Sequence, residues 1–308
     1  MSDAVVLTDI RKVFSSDRGR DVVAVERLSL RVGRGEIFSL VGPDGAGKTT
    51  TIRMMCGVVQ PTDGTITILG LDLNKEKEKV KHHVGYLSQR FSLYGDLTID
   101  ENIDFFAEIH HVKNYKQRKE ELLQFTRLTP FRDRLAAKLS GGMKQKLALA
   151  CTLVHTPEVI FLDEPTTGVD PLSRRDFWKI LSSLLKSGIT IVVSTPYLDE
   201  AERSSRIALM NEGKLLACDT PQNIKSSFES SILEIVSDDV RTAVDLLRNE
   251  LDKRRVQLFG DRIHVLVEKD SNEKKHVTQI LKRHHIAISG IREIPASLED
   301  VFISNLKS

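Results

Sequence analysis

GPDGAGKTT, running from Gly42 through Pro43, Asp44, Gly45, Ala46, Gly47, Lys48 and Thr49 to Thr50, carries the first recognisable chemistry in this chain. It satisfies G-x-x-x-x-G-K-[ST]. Glycines at these positions let the backbone curl until successive N–H groups face one anion. Lysine at this spacing reaches the β- and γ-phosphates of a nucleotide, and the next hydroxyl, Thr49, can hold Mg²⁺. A second stretch, VIFLDEP, ends an apolar run in two acids, Asp163 and Glu164. Asp163 is placed to act on the Mg²⁺ shell, and Glu164 to orient or deprotonate an attacking water. The glycine loop follows a buried strand and opens a helix, the context its motif requires; a run ending in DE is common alone, but paired with that loop it implies a P-loop nucleoside triphosphatase.

Such residues need strands and helices to hold them. GEIFSLVG is a short apolar run bounded by glycines, as expected of a strand buried on both faces, and it leads straight into the glycine loop. GKTTTIRMMCGVV then reads as a helix up to Gly57, and GTITILG as a strand. EVIFLDE and ITIVVST are two more buried strands. SDAVVLTDIRKVF and VVAVERLSLRV alternate apolar and polar residues and read as antiparallel strands around the turn SSDRGR. From about Leu97 to Leu139 the pattern is helical, opening on Thr98 as N-cap with Glu101 three residues on. KQKLALACTLVH is a helix ended by Pro157, and LSRRDFWKILSSLLKSG another, closed by Gly188. From Ser231 the order becomes strand, helix, strand, strand, helix, strand, which predicts a small ferredoxin-like α+β unit. The expected domains are therefore 1–225 and 226–308.

Bulk properties exclude several classes. A net charge of +2 over 308 residues gives no basic excess with which to bind nucleic acid non-specifically. Cys56, Cys151 and Cys218 lie far apart, which suits a reducing compartment and suggests no disulfide or metal framework. His276, His284 and His285 lack ligand spacing. No window approaches ~18 consecutive apolar residues. The N-terminus carries acids and arginine early, unlike a signal peptide. The expectation is a cytoplasmic protein that meets a membrane only through a partner.

LSGGMKQKLALA, beginning at Leu139, followed by LDEPTTGVD, resembles the signature motif and second Walker motif of the ATP-binding-cassette (ABC) family. The resemblance covers about Ala4 to Pro221. It implies an ABC cassette: a RecA-like α/β core, an antiparallel β subdomain and a helical subdomain. It also implies a head-to-tail dimer with ATP between one chain's phosphate loop and the other's signature helix. Residue chemistry agrees, because Ser140, Gly141, Gly142 and Met143 open a helix whose N–H groups suit a γ-phosphate. By the same resemblance, Gln89 matches the Q-loop glutamine that senses Mg²⁺ and water. Phe14 resembles the aromatic that stacks on adenine, with a plain core role as the alternative. Asp170 matches the D-loop acid that crosses the dimer boundary. Asp44 stands where the family often has asparagine and is expected to point outward and cap locally.

The family's next strand ends in a histidine that contacts the γ-phosphate. Here the run is STPYLDEAER, and Pro196 occupies that position. A rotatable donor is replaced by a side chain that cannot donate. Two readings compete: a slow or regulatory site paired with a different, complete cassette, or a homodimer in which Glu164 and perhaps Tyr197 compensate. The DEAE stretch itself reads as a solvated helix start that belongs to the family pattern.

The ending IPASLEDVFI resembles the accessory domain of ABC-2-type export ATPases, which include drug, antibiotic and polysaccharide exporters. This implies permease subunits as partners, with a permease helix docked near Phe91–Asp96. A soluble ABC ATPase of translation or DNA repair is the alternative, although neither a second cassette nor an inserted coiled coil is present.

Overall fold

A computed structural model describes residues 3–15, 19, 21–89, 93–228, 230–268 and 272–305. Contacts divide the chain into two units, meeting at Cys218 and Asp219. This break falls earlier than the expected 225/226, and the short helix that follows it packs with the C-terminal helix.

In the larger unit, β1 (Asp3–Phe14) and β2 (Val22–Gly33) pair antiparallel, with Val5 opposite Val32 and Leu7 opposite Leu30. All four of these side chains are buried, as the alternating pattern requires. β3 (Ile37–Val41) is buried at every position and delivers the glycine loop to α1 (Lys48–Met55). β4 (Asp63–Ile68) and β5 (Leu71–Asp72) extend the first sheet, whose order is β2-β1-β4-β5. α2 (Lys77–His83) leads to β6 (Val84–Leu87). The helical stretch follows as α3 (Ile99–Ile109), α4 (Lys116–Thr126) and α5 (Gly141–Leu153). Thr98 caps α3 with the expected capping box to Glu101. Then come β7 (Val159–Asp163), α6 (Pro171–Lys186), β8 (Thr190–Thr195), α7 (Leu198–Ala201), β9 (Arg206–Asn211) and β10 (Lys214–Asp219).

The second sheet has the order β10-β9-β3-β8-β7-β6, and β9, β3, β8, β7 and β6 run parallel. Successive residues of its central strands face opposite cores. Phe38, Leu40, Phe161 and Val192 enter the core shared with β1, β2 and α1. Ile37, Ile160, Leu162, Ile191 and Val193 enter the core shared with α3, α5 and α6. Burial on both faces explains why these strands read as unbroken apolar runs. Parallel strands also bring every carboxyl end to one edge, where ligands bind in open α/β sheets.

The smaller unit holds α8 (Pro221–Ser226), β11 (Ser230–Ser237), α9 (Val240–Glu250), β12 (Val256–Phe259), β13 (Arg262–Glu268), α10 (Glu273–Arg283), β14 (Ile288–Ile294) and α11 (Leu298–Asn305). Its sheet is antiparallel in the order β12-β13-β11-β14, the ferredoxin-like arrangement. Leu233, Ile235, Val244, Leu247, Ile263 and Leu281 build a core of its own.

Candidate functional site

β3 ends at Val41 and the chain turns through Gly45 and Gly47, both with positive φ, into α1. At Gly47, φ is 94° and an added Cβ would stand 2.5 Å from the Ala24 carbonyl oxygen, so only glycine fits. Lys48 opens the helix. Its Nζ donates to the Gly42 carbonyl at 2.8 Å and the Pro43 carbonyl at 3.0 Å, and lies 3.2 Å from Glu164 Oε1.

β7 carries Asp163 and Glu164 to the same edge. Asp163 Oδ1 accepts from Thr49 Oγ1 at 2.9 Å and from Ser194 Oγ at 2.7 Å. Its Oδ2 is buried and has no hydrogen-bond partner. Burial, then the neighbouring Glu164, pushes this carboxyl above the usual carboxylate range, against the lowering effect of the two hydroxyls. A buried orphan oxygen beside a threonine hydroxyl suits a hard divalent cation. The residues present therefore fit Mg²⁺.

Glu164 stands at φ 47°, a left-handed backbone that non-glycine residues seldom adopt. Its N–H donates to Ser194 Oγ at 2.9 Å and lies 3.2 Å from the Ser194 carbonyl. Oε2 accepts from Gln89 Nε2 at 3.0 Å and from Thr167 Oγ1 at 3.3 Å. Lys48, Thr49, Gln89, Asp163 and Glu164, read from separate stretches of sequence, thus meet in one cluster.

Ser140 N-caps α5, accepting from the Met143 N–H at 3.3 Å, and Gly142 lies buried behind it against Ser173. Asp170 caps α6 by accepting from the Ser173 N–H at 2.9 Å, and that hydrogen bond lowers its pKa. Among the described residues, no hydrogen bond or ion pair joins Ser140, Gly141 or Gly142 to Lys48, Thr49 or Asp163. The N-terminal ends of α1 and α5 are thus not joined by these residues among the described ones. Phe14 ends β1 with 43% exposure and Lys12 Nζ 5.0 Å from its ring centre, so it is not a core residue. Asp44 is exposed as expected, but its carboxylate caps nothing among the described residues.

Sequence reading missed the ends of β8. Ser194 holds both catalytic-edge acids, and Thr195 hydrogen-bonds Glu200. Two hydroxyls closing an otherwise apolar strand were the available signal. The DEAE stretch is also corrected: Glu200 is 1% exposed and belongs to the interior.

A cavity of about 380 Å³ is lined by Val58, Leu93, Phe106, Ile109, His110 and His155 among others, and by none of the residues of the Glu164 cluster. Of the expected docking segment, Phe91 and Ser92 lie outside the described residues. Leu93 packs onto the core, while Tyr94 is 48% exposed and rests on Phe105 with ring centres 4.4 Å apart. Asn102 ties the Tyr94 and Leu97 carbonyls to α3.

Fold and site together define a P-loop ATPase. The ABC transporter family model matches residues 25–167, and a model described as "ATP-binding protein DrrA1-3-like, C-terminal domain" matches 220–305. The chain belongs to the ABC transporter ATP-binding family. It is 36% identical over 291 residues to Nod factor export ATP-binding protein I of Burkholderia thailandensis, covering 92% of each. It is 44% identical over 208 residues to the probable multidrug ABC transporter ATP-binding protein YbhF of Escherichia coli, covering 67% of this chain and 36% of that relative. A dimeric post-hydrolysis structure of the ATP-binding cassette MJ0796 with ADP and Pi superposes with a TM-score of 0.64 at 26% identity, covering 70% of this chain and 98% of that one.

Proposed function

We propose that this chain is the ATP-hydrolysing subunit of an ABC-2-type exporter, paired with a second cassette across its nucleotides. The observation that carries the reading is Glu164, held in a strained backbone by Lys48, Gln89 and Thr167 beside the unpartnered oxygen of Asp163. Backbone N–H groups of the loop from Gly42 to Thr50 cradle the phosphates, and Lys48 supplies the ammonium. Thr49, Asp163 and Gln89 would hold Mg²⁺, which neutralises phosphate charge when bound. Glu164 orients or deprotonates the attacking water. Phe14 stacks on the base.

Ser140, Gly141, Gly142 and Met143 serve the partner's γ-phosphate, and Asp170 sits at the boundary. Support comes from the two separate anion-facing helix ends in one chain and from the dimeric cassette it resembles. Pro196 places no donor at the end of β8, which makes this chain's own site slow: losing one such donor costs about 10²–10³ in rate. The partner cassette is then the faster one.

The permease docks near Phe91–Asp96, where Tyr94 is exposed, and the groove lined by Leu93 with the exposed Val58 and Ile109 adds apolar surface to it. No helix among the described residues is long and apolar enough to cross a membrane, so the chain would work at the cytoplasmic face through that partner. One relative is named for multidrug transport and another for Nod factor export, so the cargo follows from the membrane subunits.

Two measurements test this. ATPase of the purified chain should be slow, and Glu164→Gln mixed with a complete second cassette and ATP should form a dimer in light scattering. Brisk turnover abolished by Glu164→Gln rejects the slow site. A Glu164→Gln chain that stays monomeric and releases ATP rejects the whole reading.

A further inference from the structure

Glu200 is buried although α7, the helix that carries it, is short and lies near the surface. Its carboxylate collects hydroxyl donors from two segments and an ion-pair contact from a third. Thr166 Oγ1 donates to Oε1 and Oε2 at 2.7 and 2.8 Å. Thr195 Oγ1 donates to Oε2 at 2.9 Å and in turn accepts from the Tyr197 N–H at 3.0 Å. Arg174 Nε lies 3.3 Å from Oε1, and the same guanidinium stacks on the Tyr197 ring at 4.2 Å.

Each segment touches working chemistry. Thr166 follows Glu164 in the same turn. Thr195 follows Ser194, which holds Asp163 and the Glu164 N–H, and it precedes Pro196. Arg174 is the neighbour of Ser173, against which Gly142 is packed so tightly that a Cβ there would stand 2.5 Å from Ser173 Oγ. A shift of the α5 N-terminus is therefore passed by contact to α6. Close-packed groups transmit such displacements rather than absorb them. If α7 needed only an acid in its first turn, the exposed Asp199 would suffice; a buried carboxylate is costly without several donors.

We propose that Glu200 is a positioning residue that links the signature end of this chain, through Arg174, to its own Asp163–Glu164 edge. The link rests on the paired-cassette reading above. It gives the chain a connection between the nucleotide held by its signature helix and the one held by its phosphate loop. With proline at 196, the Thr195–Glu200–Arg174 contacts become the fixed reference for that turn.

The test uses the full chain with Glu200→Gln, Arg174→Gln, Arg174→Lys and the Glu200→Gln/Arg174→Gln double variant. Single-turnover hydrolysis of bound ATP, ATP affinity and the thermal midpoint are measured for each. Expected is a rate about tenfold or more below wild type for Glu200→Gln and Arg174→Gln, with ATP affinity within about twofold. The double variant should be no slower than the worse single variant, and Arg174→Lys should recover part of the loss. Unchanged rates, multiplicative losses, or affinity falling in step with rate would each overturn the proposal. Should Glu200→Gln not fold, Arg174→Gln, whose side chain is partly exposed, carries the same comparison. Failure of Glu164→Gln to retain ATP and dimerise would sink the paired-cassette reading; a dimer with insensitive rates sinks only the role of Glu200.

Discussion

Lys48 Nζ stands 3.2 Å from Glu164 Oε1, and both side chains are almost wholly buried. The ammonium proposed to grip phosphate is thus also the counter-ion of the carboxylate proposed to prepare water. On that reading phosphate and Glu164 would compete for one ammonium, strongly because little water screens it. Glu164→Gln removes the rival charge. ADP, which lacks the γ-phosphate that draws cassettes together, should then bind about tenfold more tightly by calorimetry. Equal ADP affinity in the two proteins would show that the pair exerts no such restraint.

Ser194 is the shared support of the two acids, through its hydroxyl to Asp163 and to the Glu164 N–H. Ser194→Ala leaves the Glu164 N–H with only the longer contact to the Ser194 carbonyl. The expected cost is about 1–3 kcal/mol in urea unfolding, together with slower hydrolysis. A variant of unchanged stability and rate would remove Ser194 from the account.

Pro196→His restores a donor at the end of β8. Single-turnover hydrolysis should rise by about 10²-fold, the scale on which one preorganised donor acts. If the histidine variant is no faster, proline is not what limits this site.

His110 and His155 stack in the groove with ring centres 4.1 Å apart and planes 10° from parallel. Burial, followed by the neighbouring His155, lowers the His110 pKa from 6.5 to about 4, and burial lowers that of His155. Between those values the unfolded chain takes up the proton more readily than the folded one. Stability is then complete above pH 6.5 and declines as pH falls towards 4. Urea midpoints at pH 7.5 and 5 should differ more for wild type than for His110→Gln. Equal differences would contradict the lowered value.

Motifs were legible because each is a local string whose chemistry depends on its own order. GPDGAGKTT and LDEP announced their roles, and the capping box at Thr98 announced the start of α3. The C-terminal strand and helix order was legible too, since its apolar periods are clean. β9 and β10 went unread, although the apolar run of RIALM before the Glu212–Gly213 turn was a fair strand signal. Glu200 could not be read at all. Its partners Thr166 and Arg174 lie far from it in sequence, so its burial is a product of packing. DEAE by itself looks like any acidic helix start.

Among the described residues, the core of the smaller unit, built on Leu233, Ile263 and Leu281, shares no residue with the two that flank the parallel sheet. Cooperativity follows shared packing, so heating should draw more than one endotherm from this polypeptide. A lesion confined to residues 220–305 would broaden or lose one peak while the other kept its temperature, and a single melting point would describe neither part.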